Sequence, residues 1–396
     1  MNKDSILFLT KDVCCKDYLP CYKRNAYWAG KMPNLDELAA KGTIFNNYFT
    51  AAPSSNMSYR GMFTMLFPHE QTVETYKPLD KDFEGDTLFD KATKAGYECH
   101  VVWDISWEKD NFVYARCYGK NTTLHSIPDF RQKVGSHYIH EGKLVNNDEL
   151  AAKTVNTLRE ELKSFMDSNK KIFVWCHIPH VLKGRVEYGG DMDIYDQCIG
   201  VFREFFSDDN IFISADHGNM NGLKGKIGYG FDVYEPAICI PLIGPRINNM
   251  PVCNQNISNV DIYELLFNRT IPQREFLFSD SAYYAQPHRK TAVIWGKYRY
   301  IYNKLDKSEE LYDVEWDPNE NFNLISDDVY DVDRHVSTPA CEYYFYPYWD
   351  ELPKIRKILR DEKNRIWRDT NPYQNLYFKI KRKITTFYLK LRRNKI

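Results

Sequence analysis

Three short apolar runs, far apart in the chain, each lead into residues that can hold a cation. Ser5-Ile6-Leu7-Phe8-Leu9-Thr10 leads to Asp12, Lys171-Ile-Phe-Val-Trp-Cys ends in His177, and Asn210-Ile-Phe-Ile-Ser-Ala215 delivers Asp216 and His217. Continuous apolar runs of this length mark strands buried on both faces, as in a parallel sheet covered by helices. The segments between them read as helices: 34–41 with Asn34 as N-cap and Gly42 as stop, 88–95 closed by Gly96, 151–168, and 194–206. Cys99–Trp103 reads as a further strand. This alternation predicts an α/β fold with a doubly wound, mostly parallel sheet flanked by helices. In such sheets ligands gather at the carboxyl ends of the strands, so Asp12, His177, Asp216 and His217 are expected to converge.

Beyond about residue 280 the texture changes. Thr291–Ile301, "TAVIWGKYRYI", alternates in β-branched and aromatic residues and predicts antiparallel strands turning near Gly296-Lys297. Lys354–Arg368 reads as a helix. The expected division is a main body over 1–275, a small antiparallel subdomain over 276–330, and a helical extension with a basic tail over 331–396.

The net charge of −1 gives no global basic field and excludes nucleic acid as an expected partner. The charge is uneven, however. Residues 374–396 hold eight Lys and Arg and no acid, which leaves the preceding residues at −9. Leu376, Ile380, Ile384, Phe387 and Leu391 recur at helical spacing among those cations. The pattern fits an amphipathic helix on an anionic membrane surface, or equally a helix docked on the acidic body. No basic leader with a long apolar core is visible and no run reaches membrane-spanning length. A cytoplasmic protein, with any membrane association peripheral and on the inner face, is expected. The ten cysteines contain no CxxC pair, so reduced thiols are expected and a structural zinc site is not.

Asp216-His217-Gly218 offers oxygen and imidazole ligands for a divalent cation, although a strand-end His is also a common structural residue. Asp12 reads equally as a ligand or a helix cap. Ala52–Pro68, "APSSNMSYRGMFTMLFP", is a Ser-rich turn running into a helix whose first amides would face an anion. A hydroxyl there, beside a metal, can ionise at neutral pH and attack; ordinary N-capping by Ser54 or Ser55 is the plain alternative.

Together these segments resemble the sulfatase family of the alkaline-phosphatase superfamily, over about residues 5–325. The resemblance rests on "ILFLTKDVCCKDYL" (Ile6–Leu19), "MPNLDELAAKGTIFNNYFTAAPSS" (Met32–Ser55), "YDQCIGVFREFF" (Tyr195–Phe206), "FISADHGN" (Phe212–Asn219), "YEPAICIPLIGP" (Tyr234–Pro245) and "ELYDVEWDPNENFNL" (Glu310–Leu324), in the family's order. It implies an alkaline-phosphatase-like fold and one divalent cation (Ca, Mn, Zn or Mg) held by Asp12, Asp216, His217 and Ser55. It implies Ser55 as nucleophile, Lys226 as contact to the transferred anionic group, and His180 as proton donor to the leaving group. His177, Lys226, Tyr229 and Arg60 are its implied substrate contacts. The chain departs from the formylglycine hallmark C/S-x-P-S-R, having Ser55-Asn56-Met57-Ser58-Tyr59, and Val13 stands where a second metal-binding Asp is common. Formylglycine is therefore not expected and a serine alkoxide is. The implied substrate is an anionic ester, of a glycan or a lipid-linked saccharide. The implied activities are hydrolysis of sulfate or phosphate esters, transfer of a phosphoethanolamine- or phosphoglycerol-type group, or, in an inactive member, binding alone.

Overall fold

In the computed structural model, the described residues are 3–22, 30–71, 83, 85–103, 117–119, 121–127, 130, 139–140, 143–144, 146–166, 169–185, 189–281, 288–326 and 346–368. The basic segment 374–396 and the first part of the extension, 331–345, lie outside them.

The elements that carry the site are, in chain order, strand β1 (Ile6–Lys11), helix α1 (Pro33–Lys41), strands β2 (Thr43–Phe45) and β3 (Tyr48–Phe49), helices α2 (Ser55–Thr64) and α3 (Leu88–Lys94), and strands β4 (Glu98–Trp103) and β5 (Thr122–Ser126). A short hairpin, β6 (Ile139–His140) and β7 (Lys143–Leu144), precedes helix α4 (Asp148–Met166), strand β8 (Ile172–Ile178), helix α5 (Met192–Arg203) and strand β9 (Ile211–Ala215). Then follow α6 (Glu235–Ile238), β10 (Cys239–Ile240), β11 (Leu242–Gly244), β12 (Val252–Cys253) and β13 (Ile257–Ser258). The remainder is β14 (Leu277–Asp280), β15 (Lys290–Trp295), β16 (Tyr298–Asn303), β17 (Glu309–Asp313) and α7 (Leu352–Arg368).

The main sheet has eight strands in the order β12-β2-β11-β9-β1-β8-β4-β5. Its centre is parallel: β1 runs beside β8 and β9, and β8 beside β4. The strand β11 enters antiparallel to β9 and β2, so the sheet is mixed rather than uniformly parallel. All six residues of β1 and all seven of β8 are buried, as expected of strands covered on both faces. The second sheet, β14-β15-β16-β17, is antiparallel throughout, and its β15–β16 turn is the expected Gly296-Lys297 pair. Helix α7 closes over this sheet, with Trp367 Nε1 donating to Thr291 Oγ1 at 3.1 Å and Leu352, Ile355, Leu359 and Ile366 in its core. The nine described cysteines are free.

The start of α1 differs from expectation, and its end holds for a different reason. Pro33 opens α1, its fixed φ suiting a first-turn position that lacks an intrahelical donor role. Asn34 is therefore inside the helix, and its amide reaches Asp196 Oδ2 at 3.0 Å instead of capping. Gly42 does end α1, but with φ of −92°; what requires glycine is crowding, since a Cβ there would lie 2.1 Å from the Gly244 carbonyl oxygen.

Candidate active site

The three central strands β9, β1 and β8 lie side by side, and their carboxyl ends place Asp216, Asp12 and His177 together. One ligand atom from each of these three lies within 4.8 Å of the others. Asp12 continues β1, its N–H on the Ile178 carbonyl at 2.8 Å. The next residue, Val13, turns into the left-handed region at φ 56°, a conformation a β-branched residue adopts only against a cost of about 1–2 kcal/mol. The turn aims the Val13 N–H at Asp216 Oδ1, 3.0 Å away, tying the two strand ends together. The His217 N–H donates to the same oxygen at 2.8 Å. Asp216 Oδ2 is buried and takes no ordinary hydrogen bond from the described residues. A buried carboxylate oxygen without a donor is costly unless a cation supplies the missing charge.

His217 is fully buried. Its Nδ1 lies 2.9 Å from the Gly218 carbonyl, an acceptor only, so Nδ1 carries a proton, and in the neutral ring Nε2 keeps the lone pair. That Nε2 is 3.4 Å from Asp216 Oδ2, 4.0 Å from Asp12 Oδ1 and 3.0 Å from Ser55 Oγ. Gly218 must be glycine, because a Cβ would lie 1.9 Å from the Pro236 carbonyl oxygen. The four groups expected to surround one cation, Asp12, Asp216, His217 and Ser55, are thus brought together.

Ser55 is the first residue of α2. Ser54 occupies the N-cap position, yet its side chain makes no capping hydrogen bond. The helix is instead pinned from below. Ser58 Oγ donates to the Asp216 carbonyl at 2.6 Å, Thr50 Oγ1 donates to Ser58 Oγ at 2.7 Å, and Asn259 Nδ2 reaches Ser58 Oγ at 3.0 Å. This buried chain fixes the start of α2 onto the strand that carries Asp216. None of Thr50, Ser58 and Asn259 stood out in the sequence, since each is an ordinary polar residue there.

His180 stands half-exposed at the mouth, with Nδ1 3.2 Å from Asp12 Oδ2. Its turn is held by Lys11, a buried residue whose Nζ donates to the carbonyls of Pro179 at 3.1 Å and His180 at 3.5 Å and to Asp191 Oδ2 at 2.7 Å. Burial by itself would push the Asp12 carboxyl up, but the hydrogen bond to His180 and the nearby His177 and His217 hold it well below the usual carboxylate range. Burial, with the Asp12 charge adding to it, pushes Asp216 up to about 6. The donor set and the bare Asp216 oxygen therefore fit a divalent cation.

The other residues named from the sequence fall in three places. The Tyr229 ring packs against His217, centroids 4.5 Å apart, at the site. Lys226 donates to Asp232 Oδ1 at 2.8 Å and lies over the Tyr234 ring at 4.8 Å; Lys290 meets the same carboxylate. Among the described residues no contact ties Lys226 to Asp12, Asp216 or His217. Arg60 is a correction. It is buried, with Nε on Gln71 Oε1 at 2.5 Å and Nη1 3.7 Å from Cys117 Sγ, because five residues along a helix from Ser55 is about 140° around the axis. Tyr59, about 40° from Ser55, faces the site instead and touches His177.

The fold and site define an alkaline-phosphatase-like enzyme architecture: a mixed α/β sheet with acidic and imidazole groups at its central strand ends, and a helix N-terminus bearing a hydroxyl above them. A sulfatase family model matches residues 22–264, more than half of the chain, and the chain belongs to the sulfatase family. Solved structures agree on the fold. A 2-O GAG sulfatase aligns over 94% of this chain and 94% of its own with TM-score 0.68 at 14% identity. A phosphonate monoester hydrolase from Silicibacter pomeroyi aligns over 93% and 96% with TM-score 0.59 at 12% identity. A protein solved with its substrate D-glucosamine-2-N,6-O-disulfate aligns over 87% and 98% with TM-score 0.56 at 14% identity. No curated protein matches the sequence. No described helix is long and apolar enough to cross a membrane.

Proposed function

We propose that this chain is a metal-dependent hydrolase of sulfate or phosphate esters, acting on an anionic saccharide ester with Ser55 as nucleophile. The observation that carries the reading is Ser55 Oγ at 3.0 Å from His217 Nε2, beside Asp12 and Asp216 at the head of α2. A divalent cation bound by Asp12, Asp216 and His217 supplies positive charge that favours the Ser55 alkoxide and withdraws charge from an ester oxygen.

The chain's own residues do the rest. Ser55 releases its hydroxyl proton to solvent and its Oγ bonds to the sulfur or phosphorus as the bond to the leaving oxygen breaks, and His180 gives the leaving oxygen its proton, to be recharged from the water that later frees Ser55. Asp12 accepts from His180 Nδ1 and keeps the ring's other nitrogen facing outward, toward substrate. The free amides at the start of α2 face charge on the non-bridging oxygens. Tyr229 lines the entrance and Lys226 waits on Asp232, exchanging that partner for the anionic group. Water then releases the group from Ser55; an acceptor hydroxyl in place of water would make the same intermediate serve a transferase. That a structural neighbour was solved with a sulfated glucosamine supports a saccharide ester as substrate class.

The test is turnover of aryl sulfate, aryl phosphate, phosphonate monoester and phosphodiester substrates with Mn²⁺, Ca²⁺ or Zn²⁺, wild type against Ser55→Ala. Cation-dependent turnover lost in the variant is expected. Equal rates in the two proteins, or none in either with any cation, reject the reading. Mass spectrometry of the Ser55 peptide is expected to show unmodified serine. Residues 374–396 are proposed to bind an anionic membrane surface, and sedimentation with anionic vesicles should drop when they are removed.

A further inference from the structure

Asp232 holds two lysines on one oxygen. Lys226 Nζ donates to Asp232 Oδ1 at 2.8 Å, and Lys290 Nζ donates to the same atom. The Tyr234 ring lies beneath both, its centroid 4.8 Å from Lys226 Nζ and 5.7 Å from Lys290 Nζ. That ring is fixed by its hydroxyl, which donates to the Glu310 carboxylate at 2.8 Å. Two ammonium groups on one carboxylate oxygen repel each other, so each is held less firmly than a lysine with a carboxylate of its own. Burial pulls the Lys290 ammonium below the usual lysine value; Asp232 works against that shift and Lys226 adds to it.

The two lysines are mounted differently. Lys290 opens β15 in the second sheet, where its N–H donates to Ser281 Oγ at 2.9 Å and its carbonyl accepts the Ser281 N–H at 3.0 Å. The neighbouring Arg289 is paired with Asp280, and the Lys290 side chain is only 14% exposed. Lys226 lies between Gly225 and Gly228, both at left-handed φ, and its side chain is 35% exposed. Tyr229, at most about 10 Å of chain beyond Lys226, packs on His217. Of the two, Lys226 is therefore the one placed to turn toward an arriving anion. Were it the sole partner of Asp232, its departure would strand a carboxylate that is mostly buried, at large cost. Burial alone would push the Asp232 carboxyl up, and the hydrogen bonds from Lys226 and Lys290 hold it below its usual value. Lys290 stays on this carboxylate when Lys226 leaves.

We propose that Lys290 is a positioning residue: by keeping Asp232 paired, it frees Lys226 to bind the transferred anionic group. The second sheet thereby takes part in the chemistry at the strand ends of the first. The proposal rests on the reading of Lys226 as the contact to that group.

The experiment measures kcat and KM of the full-length chain, with the cation that supports turnover, for Lys226→Met, Lys290→Met, and Lys290→Met combined with Asp232→Asn. It also follows lysine ¹⁵Nζ resonances as inorganic phosphate is added. Lys290→Gln replaces Lys290→Met if the latter does not fold. In Lys290→Met the Asp232 charge falls to Lys226 alone and traps it. KM is expected to rise about tenfold with kcat nearly unchanged, as when the competent arrangement drops to about a tenth of the population. Adding Asp232→Asn removes the trap and should restore most of the lost affinity. Phosphate should shift the Lys226 resonance in the wild type and, at the same concentration, shift it far less in Lys290→Met. A merely structural Lys290 would leave that difference absent. An unchanged KM in Lys290→Met, a loss that Asp232→Asn does not repair, or equal phosphate shifts in the two proteins overturns the proposal while the Lys226 contact stands. If Lys226→Met turns over as the wild type does, or phosphate leaves the wild-type Lys226 resonance in place, the contact itself falls and the proposal with it.

Discussion

Ser55 Oγ and His217 Nε2 are 3.0 Å apart, although the residues are separated by 162 positions in the chain. With the Nδ1 proton of His217 on the Gly218 carbonyl, the Nε2 of the neutral ring accepts from Ser55. With a cation on Asp12, Asp216 and this nitrogen, the serine oxygen would lie beside the positive charge that favours its alkoxide. Ser55→Ala is expected to reduce kcat/KM by at least about 10³-fold, in the range typical of a lost nucleophile. It should leave the melting temperature within a degree or two, since Ser54, not Ser55, holds the N-cap position. Steady-state kinetics and thermal unfolding of the same preparation check both halves.

Lys11 and Asp191 form a fully buried ion pair at 2.7 Å beneath the His180 turn. Lys11→Met leaves Asp191 buried without its cation, and a loss of about 3–5 kcal/mol is expected from such a deletion. Replacing both partners, Lys11→Met with Asp191→Leu, should recover much of that stability. It should not recover activity, because the carbonyls of Pro179 and His180 still lose their donor. Urea unfolding together with turnover separates the two effects; a double variant that is both stable and fully active would refute the positioning role of Lys11.

Glu320 is buried against α6, accepting the Glu235 N–H at 2.8 Å, and burial pushes its carboxyl up to about 7. Its folded value thus lies above the ordinary 4.5, and the folded state binds the proton more tightly. The contribution is complete below pH 4.5 and is lost as the pH rises toward 7. Glu320→Gln should flatten that part of the stability profile and gain on the order of 2 kcal/mol at pH 8. Chemical unfolding at pH 4.5 and pH 8 tests it; equal slopes for the two proteins would refute it.

His100 moves the opposite way. It stacks on Phe165, accepts or donates to His125 at 2.8 Å, and burial pushes it down to about 4. The unfolded chain then binds more protons between pH 6.5 and 4, so stability falls as the pH drops through that window. The loss should be on the order of 1–3 kcal/mol, and His100→Phe should remove it. Acid unfolding monitored by circular dichroism distinguishes this from carboxylate titration, which would persist in the variant.

The order of strands and helices was readable because the central strands are covered on both faces and so announce themselves as unbroken apolar runs. The edges were less so. The strand β5 has exposed and half-exposed positions, and β2, β3 and β10 to β13 have only two or three residues, too short for any periodicity. Asp12, Asp216 and His217 stand out in the sequence because each ends such a run. Arg60 was named by its nearness to the hallmark arginine position, whereas helical phase favours Tyr59 for the side of α2 that carries Ser55. Lys11 and Asp191 carry no local signal, since a contact across 180 positions exists only once β1 and β8 have paired. The sheet's antiparallel strand β11 escaped for a related reason: direction is set by the connection, and nothing in three residues encodes it.

Asp12, His177 and Asp216 hang from three adjacent strands of one hydrogen-bonded sheet, with Thr10 opposite both His177 and Ser214 and the Lys11 rung between them and the two acids. Their spacing is thus inherited from the interval between neighbouring strands, about 4.8 Å, which every residue of the sheet helps to maintain. Tyr229 and Lys226, by contrast, sit on a connection studded with left-handed glycines at 222, 225, 228 and 230. The dimensions of the reaction centre and the choice of what enters it therefore belong to separate mechanical parts, and the second can be remodelled by exchanging a loop while the first stays in gauge.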